Sequence, residues 1–221
     1  MAAFFNLTLD TLAPQNCSVV INSGAARTNI ADVTLAIATG DAATTGYTMK
    51  VYGDIVGASS ANEATWEAFS TEKAVELTAG DGTKTVHVII RDDVWNEAEA
   101  VSDFIVLDTT AAVVTISGPD VSKVSEVAQK NISTFTFVVD EAFQEYKVMV
   151  VATEGTAHDA GTLIPTTAGS VNTSGAAGNY EANKAIEVKI HATDFKTAKG
   201  GADGVGIVKV FVKDLTGNWS A

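Results

Sequence analysis

Along most of this chain, apolar side chains recur at every second position. Val33-Thr-Leu35-Ala-Ile37, Met49-Lys-Val51, Val75-Glu-Leu77, Val86-His-Val88-Ile-Ile90 and Phe104-Ile-Val106 keep this rhythm in the first half. In the second half Val114-Thr-Ile116, Phe135-Thr-Phe137-Val-Val139, Tyr146-Lys-Val148-Met-Val150, Ile186-Glu-Val188-Lys-Ile190 and Val208-Lys-Val210-Phe-Val212 answer it, so that copy matches copy strand by strand. A period of two places one face of each stretch in a core and the other in water, which predicts antiparallel strands. Asn22-Ser-Gly24, Gly40-Asp41, Gly53-Asp54, Gly80-Asp-Gly82 and Asn96 supply turn chemistry between strands at the spacing of a sandwich. Glu63-Ala-Thr-Trp66 and Ser122-Lys-Val-Ser-Glu126 each allow a turn of helix, yet neither sustains a helical period long enough to pack as a layer. The expected fold class is all-β.

The passage 80–96 returns without a gap as 202–218, so that Asp81-Gly82, Asp92 and Asn96 reappear as Asp203-Gly204, Asp214 and Asn218. A repeat of this kind reads as one β module written twice. The spacing between matching residues drifts: Asp10-Thr11 and Asp108-Thr109 lie 98 apart, Asn29 and Asn131 102, Val75 and Val188 113, Asp81 and Asp203 122. The expected organisation is therefore two tandem sandwich domains, 1–109 and 110–221. The second carries a long insertion at 153–184 and extra residues near 193–201. Long segments without periodicity inside a domain are commonly functional or mobile. The junction 106–114 has almost no spacer, so the two modules are expected to form a semi-rigid pair.

Charge and cysteine content narrow the partners. The net charge is −13, and the first half holds 5 Lys/Arg against 15 Asp/Glu while the second holds 9 against 12. Such a surface repels a polyphosphate backbone, which excludes nucleic acid as the expected partner. No apolar run approaches the roughly 18 residues of a membrane helix. The first ten residues lack the basic start and small-residue cleavage site of a secretory signal, so none is expected. Cys17 stands alone, which rules out an intrachain disulfide and a cysteine-based zinc site; it is expected as a small buried apolar residue.

Candidate chemistry is sparse. His87 lies mid-strand facing away from the Val86 and Val88 side, His158 falls in the long insertion and His191 closes a strand, so no histidine is expected to serve a nucleophile. Asp92, Asp93, Asn96, Glu97 and Glu99 form the densest oxygen cluster. They read either as calcium ligands or as turn chemistry, and the survival of only Asp214 and Asn218 in the second copy favours the turn. Gly200-Gly-Ala-Asp-Gly204-Val-Gly206 is glycine-rich, but a strand follows it rather than the helix a phosphate loop needs. No cofactor, metal or catalytic residue is expected.

Aromatic side chains are the candidates for contact. Trp95 stands where the second copy has Gly217, at the tip of the last hairpin; it either folds over its own module edge or meets a protein or a sugar ring. Trp66 reads as core or edge packing, with contact as the alternative, and Trp219 as a cover for the open end of the second module. Phe4 and Phe5 belong to an apolar leader, 2–9, which is either the first strand or an arm that anchors the protein to an assembly.

One resemblance adds to this reading. Asp10-Thr-Leu-Ala-Pro14, Val20-Ile-Asn-Ser-Gly24, Trp66-Glu-Ala-Phe69, Leu77-Thr-Ala-Gly-Asp-Gly-Thr-Lys-Thr-Val86, Arg91-Asp92 with Asn96, and Ile105-Val-Leu-Asp-Thr-Thr110 resemble the immunoglobulin-like repeats found in tandem in bacterial surface proteins and in tailed-phage virion proteins. The likeness covers most of 8–112. The second copy departs from it at Ala112, where the pattern has Pro, and in its insertion. The resemblance implies two tandem Ig-like antiparallel β-sandwich domains used as a spacer, a decoration or an adhesive tip. It implies no reaction. The expectation is a non-enzymatic structural component of a phage virion, displayed in many copies on tail or capsid and assembled in the host cytoplasm, with other virion structural proteins as partners. The alternative is a carbohydrate- or receptor-binding module of an adhesin, with a host-surface glycan as partner.

Overall fold

A computed structural model describes residues 4–221; Ala2 and Ala3 of the leader lie outside the described residues. The chain divides into two compact units, Met1–Thr109 and Thr110–Ala221. Each is a β-sandwich of two packed sheets.

The first unit contains β1 (Ser18–Ile21), β2 (Arg27–Thr28), β3 (Asp32–Ala38), β4 (Thr48–Gly53), β5 (Glu67–Ala68), β6 (Glu72–Glu76), β7 (Gly82–Arg91) and β8 (Val101–Leu107). One sheet runs β1-β3-β6 and the other β2-β8-β7-β4-β5. All pairs are antiparallel except β2 with β8. Strict alternation in β3 buries Val33, Leu35 and Ile37, and in β7 it buries Val86, Val88 and Ile90, so the two inner faces interlock as a single core. In β8 the inward side chains are Ile105 and Leu107. Phe104, on the outward face, is 63% exposed. Removing the inward aliphatic side chains of these strands from water is the main stabilising contribution, about 1.5–3 kcal/mol for each one fully buried.

The second unit contains β9 (Val114–Ser117), β10 (Ile132–Val139), β11 (Phe143–Val151), β12 (Thr162–Leu163), β13 (Ser174–Gly175), β14 (Ile186–His191), α1 (Ala192–Ala198) and β15 (Ile207–Asp214). One sheet is β14-β10-β9. In the other, β15 lines one edge of β11 while β12 and β13 share the opposite edge. Phe135, Phe137, Phe143, Tyr146 and Val148 fill this core. Here the strand-by-strand match needs correction. β8 of the first unit has no counterpart among the described residues of the second, because the chain past β15 returns only through Trp219 beside Lys213 and Ser220 beside Val212. The remaining strands follow the spacings of 102 and 113, with β10 in the place of β3, β14 in that of β6 and β9 in that of β1.

The insertions are ordered by one buried carboxylate. Asp194 of α1 is fully buried and accepts hydrogen bonds from the Thr167 hydroxyl (2.7 Å), the Ala168 N–H (2.9 Å) and the Ser170 N–H (3.0 Å). Burial pushes this carboxyl up, but those donors outweigh it and hold the pKa down to about 2. The helix starts because His191 caps it, its Nδ1 accepting from the Thr193 N–H. At seven residues, α1 is too short for its periodicity to stand out in the sequence. Neither 63–66 nor 122–126 forms a helix. No helix among the described residues is long and apolar enough to cross a membrane.

Candidate functional site

The contact-capable side chains of the first unit gather on the outer face of its five-stranded sheet. Arg91 ends β7 opposite Thr48 of β4, and its Nε donates to the Thr48 hydroxyl at 2.8 Å. Trp66 precedes β5, which pairs with the start of β4, and this carries the indole over the same face. The guanidinium centre lies 3.9 Å from the Trp66 ring centroid and 4.8 Å from that of Trp95, and Lys50 Nζ lies 5.1 Å from Trp66. The four side chains form a ladder of alternating cation and indole, and cation–π attraction of about 0.5–1 kcal/mol per contact holds it at an exposed site. Trp66 is thus half-buried on the outer face and does not belong to the core cluster.

Trp95 both leans on its own module and remains 71% exposed. The turn that holds it is pinned by Asp92, a buried carboxylate that accepts from the Val94 N–H (3.0 Å), the Asn96 N–H (2.8 Å) and Asn96 Nδ2 (2.7 Å). Burial pushes the Asp92 carboxyl up, and these bonds bring it below its ordinary value. Asp214 repeats the arrangement with the N–H groups of Thr216, Gly217 and Asn218 and with Asn218 Nδ2. Both pairs are turn chemistry, and Asp92 directs its oxygens at N–H donors. Trp95 has φ +72°, a left-handed conformation that costs a bulky side chain about 1 kcal/mol and that Gly217 adopts freely at φ +106°.

The second unit builds its own stack from a different position. Trp219 lies 4.5 Å from the His158 ring and parallel to it within 11°, with Lys147 Nζ at 4.3 Å. Trp219 therefore sits on the outer face of the β11–β15 sheet, and His158 of the long insertion covers it. His87 stacks on Tyr52, and His191 is engaged with Asn131 and the start of α1, so the three imidazoles do not meet. Among the described residues, no group of three or more His, Cys, Asp or Glu could hold a metal ion. Cys17 is half-buried, with its thiol directed at the Pro14 carbonyl.

Phe4 and Phe5 do not join the ladder. No strand forms between residues 4 and 17, and Phe4 (91%), Phe5 (84%), Leu7 (87%) and Leu9 (87%) are exposed, an unusual state for four large apolar side chains within six residues. Sequence reasoning missed a further surface, an apolar slot of the second unit between β9 and β15. Two adjoining hollows of about 300 and 420 Å³ share Ile116 and Val208 there; the first also takes in Phe135, Phe195 and Gly206.

No protein-family model matches the chain, and no curated protein matches it. Similar solved structures include the fibronectin(III)-like modules of CbhA from Clostridium thermocellum, at 11% identity and a TM-score of 0.43, covering 92% of this chain and 89% of that one. A chitinase from Bacillus thuringiensis is similar at 13% identity and a TM-score of 0.31; the match spans 92% of this chain and 30% of the chitinase.

Proposed function

We propose that the protein is a non-enzymatic structural part of a multicopy assembly, a tailed-phage virion component whose Ig-like modules stand on the tail or capsid surface and meet other virion proteins. The observation that carries this reading is the apolar leader. Phe4, Phe5, Leu7 and Leu9 cover nothing in their own unit, and a segment of this kind is stable in water when another protein surface receives it. The resemblance of 8–112 to tandem virion repeats supports the phage setting, and the acidic surface suits a protein displayed in many copies. Electron microscopy of purified particles tests the reading: density for the two modules is expected at fixed symmetric positions, absent from particles made without this chain. Particles with no such density overturn it.

A second reading, a glycan- or receptor-binding module, is favoured by one feature. Trp95 is held exposed at positive φ beside Arg91, and an indole edged by a guanidinium can stack on a sugar ring. Selective retention on a glycan array that Trp95→Ala abolishes would move the assignment to this class.

A further inference from the structure

The first unit carries opposite charges on the outer faces of its two sheets, and neither charge is answered within the unit. On the outer face of the β2-β8-β7-β4-β5 sheet, Arg91 and Lys50 lie against Trp66, and neither meets a carboxylate among the described residues. Lys73, by contrast, pairs with Glu67 at 2.9 Å. Glu97 stands across the bridge from Arg91 but forms no ion pair with it, so the guanidinium stays with the indoles. Lys50 is steadied only by the Ala61 carbonyl, to which its Nζ donates at 2.9 Å. In a unit with 15 Asp/Glu against 5 Lys/Arg, two neighbouring cations without a carboxylate run against the composition.

The outer face of the β1-β3-β6 sheet is acidic. Asp32 of β3 and Glu76 of β6 stand directly opposite each other across the ladder, where like charges repel, and Glu72 lies further along β6 on the same face. All three are exposed, and their carboxylates neither accept a hydrogen bond nor reach a cation among the described residues. Thr34, Ala36 and Ala74 fill the face beside them, and such small side chains leave room for a protruding ring.

The second unit shows that the fold demands neither arrangement. At the spacings of the repeat, Thr134 takes the place of Asp32 and Lys189 that of Glu76, and Lys189 pairs with Glu187 at 3.1 Å. Its other outer face, that of β11 and β15, is closed by its own insertion. There His158 stacks on Trp219, and Lys209 Nζ donates to the Glu154 and Thr156 carbonyls at 2.6 and 3.2 Å. The second unit thus satisfies both faces internally, and the first leaves both open.

Within one copy the two charged faces cannot meet, because they look outward from opposite sides of a core about 10 Å thick. We infer that the first unit of one copy seats its Lys50–Trp66–Arg91–Trp95 face on the Asp32–Glu72–Glu76 face of the first unit of a second copy. Arg91 and Lys50 then answer the repelling pair Asp32 and Glu76, and Trp95, 71% exposed in the single chain, covers the small side chains beside them. The occupant is a second copy because each face carries the charge the other lacks. Two different patches are used, so the contact is heterologous: it leaves one free face of each kind at its ends and propagates as a row. A face only three strands wide offers on the order of a few hundred Å² per copy, below the ~800 Å² per partner of a standard interface. Each contact is therefore weak alone, and rows form where copies are already held close together.

This inference rests on the multicopy reading and names one neighbour in it; its test uses the full chain in isolation, so its failure leaves the particle experiment to decide that reading. Sedimentation velocity at low salt and rising concentration is expected to show dimers and longer rows, which fall apart as salt screens the charges. Arg91→Glu is expected to weaken association at least ~10-fold, and Lys50→Glu to repeat the loss away from the Trp95 turn. Asp32→Thr combined with Glu76→Lys, which installs the residues of the second unit, should weaken it as much. That double variant lowers the net negative charge, so general repulsion alone would make it associate more. Mixing it with Arg91→Glu protein supplies one intact face of each kind, and the mixture should form dimers that grow no further. A wild-type chain that stays monomeric at every concentration, a mixture that stays monomeric, or a double variant that associates as well as the wild type overturns the inference. An acidic glycan that binds the ladder of a monomeric wild-type chain also overturns it, and moves the ladder to the glycan reading.

Discussion

Ile21 and Ile116 occupy the same place in the two sandwiches and meet opposite fates. Both lie on the first strand of their unit, and both face a large buried side chain across the ladder, Leu35 in one case and Phe137 in the other. Ile21 is sealed because β8 closes over it, and Ile116 faces solvent because nothing among the described residues takes that place. The local sequence of a strand decides which face is apolar; whether that face is dry depends on a strand about eighty residues away in the chain.

The sharpest way to break this comparison is to truncate both side chains. Ile21→Ala is expected to cost about 2–5 kcal/mol in chemical denaturation, since it opens a cavity in a closed core. Ile116→Ala should cost under about 1 kcal/mol in dilute solution, and equal losses would show that the second slot is already covered. Next in size is Asp194→Ala, which leaves the Thr167, Ala168 and Ser170 donors without their acceptor and should destabilise the second unit alone by roughly 2–4 kcal/mol. Asp92→Ala and Asp214→Ala address a feature the units share; each should cost its own unit a similar amount, about 1–3 kcal/mol, read from separate thermal transitions.

Acid separates the units in the same direction. The folded pKa of Asp194, about 2, lies below the ordinary value near 4, so its contribution is complete above pH ~4 and is lost as pH falls through 2. The Trp219 signal of the second unit should lose stability over that window, and Asp194→Asn should flatten the dependence. The smallest effect is expected at Trp95. Trp95→Gly relieves a left-handed bulky residue while losing the Arg91 contact, so the stability of the first unit should change by less than about 1 kcal/mol. A large loss would make the ladder a structural element rather than a contact surface.

Much of the fold was legible because β alternation is a local signal. Val33-Leu35-Ile37 and Phe135-Phe137-Val139 declare their inward faces without any knowledge of the partner strand. Asp92 with Asn96 and Asp214 with Asn218 were legible as turns because the bonds involved span only two to four residues. The Lys50–Trp66–Arg91–Trp95 ladder was not, since it assembles residues from three separate segments and follows from the register of β4 on β7. Helix α1 was hidden by its length and by an anchor, Asp194, whose donors lie 24–27 residues earlier.

From the amino-acid order alone came the all-β class, the duplication and the turn carboxylates, because each is written in spacings of a few residues or in the repetition of a passage. Only the tertiary structure decided that Ile116 is wet where Ile21 is dry among the described residues, and that two indoles share one arginine. Burial and edge pairing belong to strands brought together from far apart in the chain, and no window of sequence contains them.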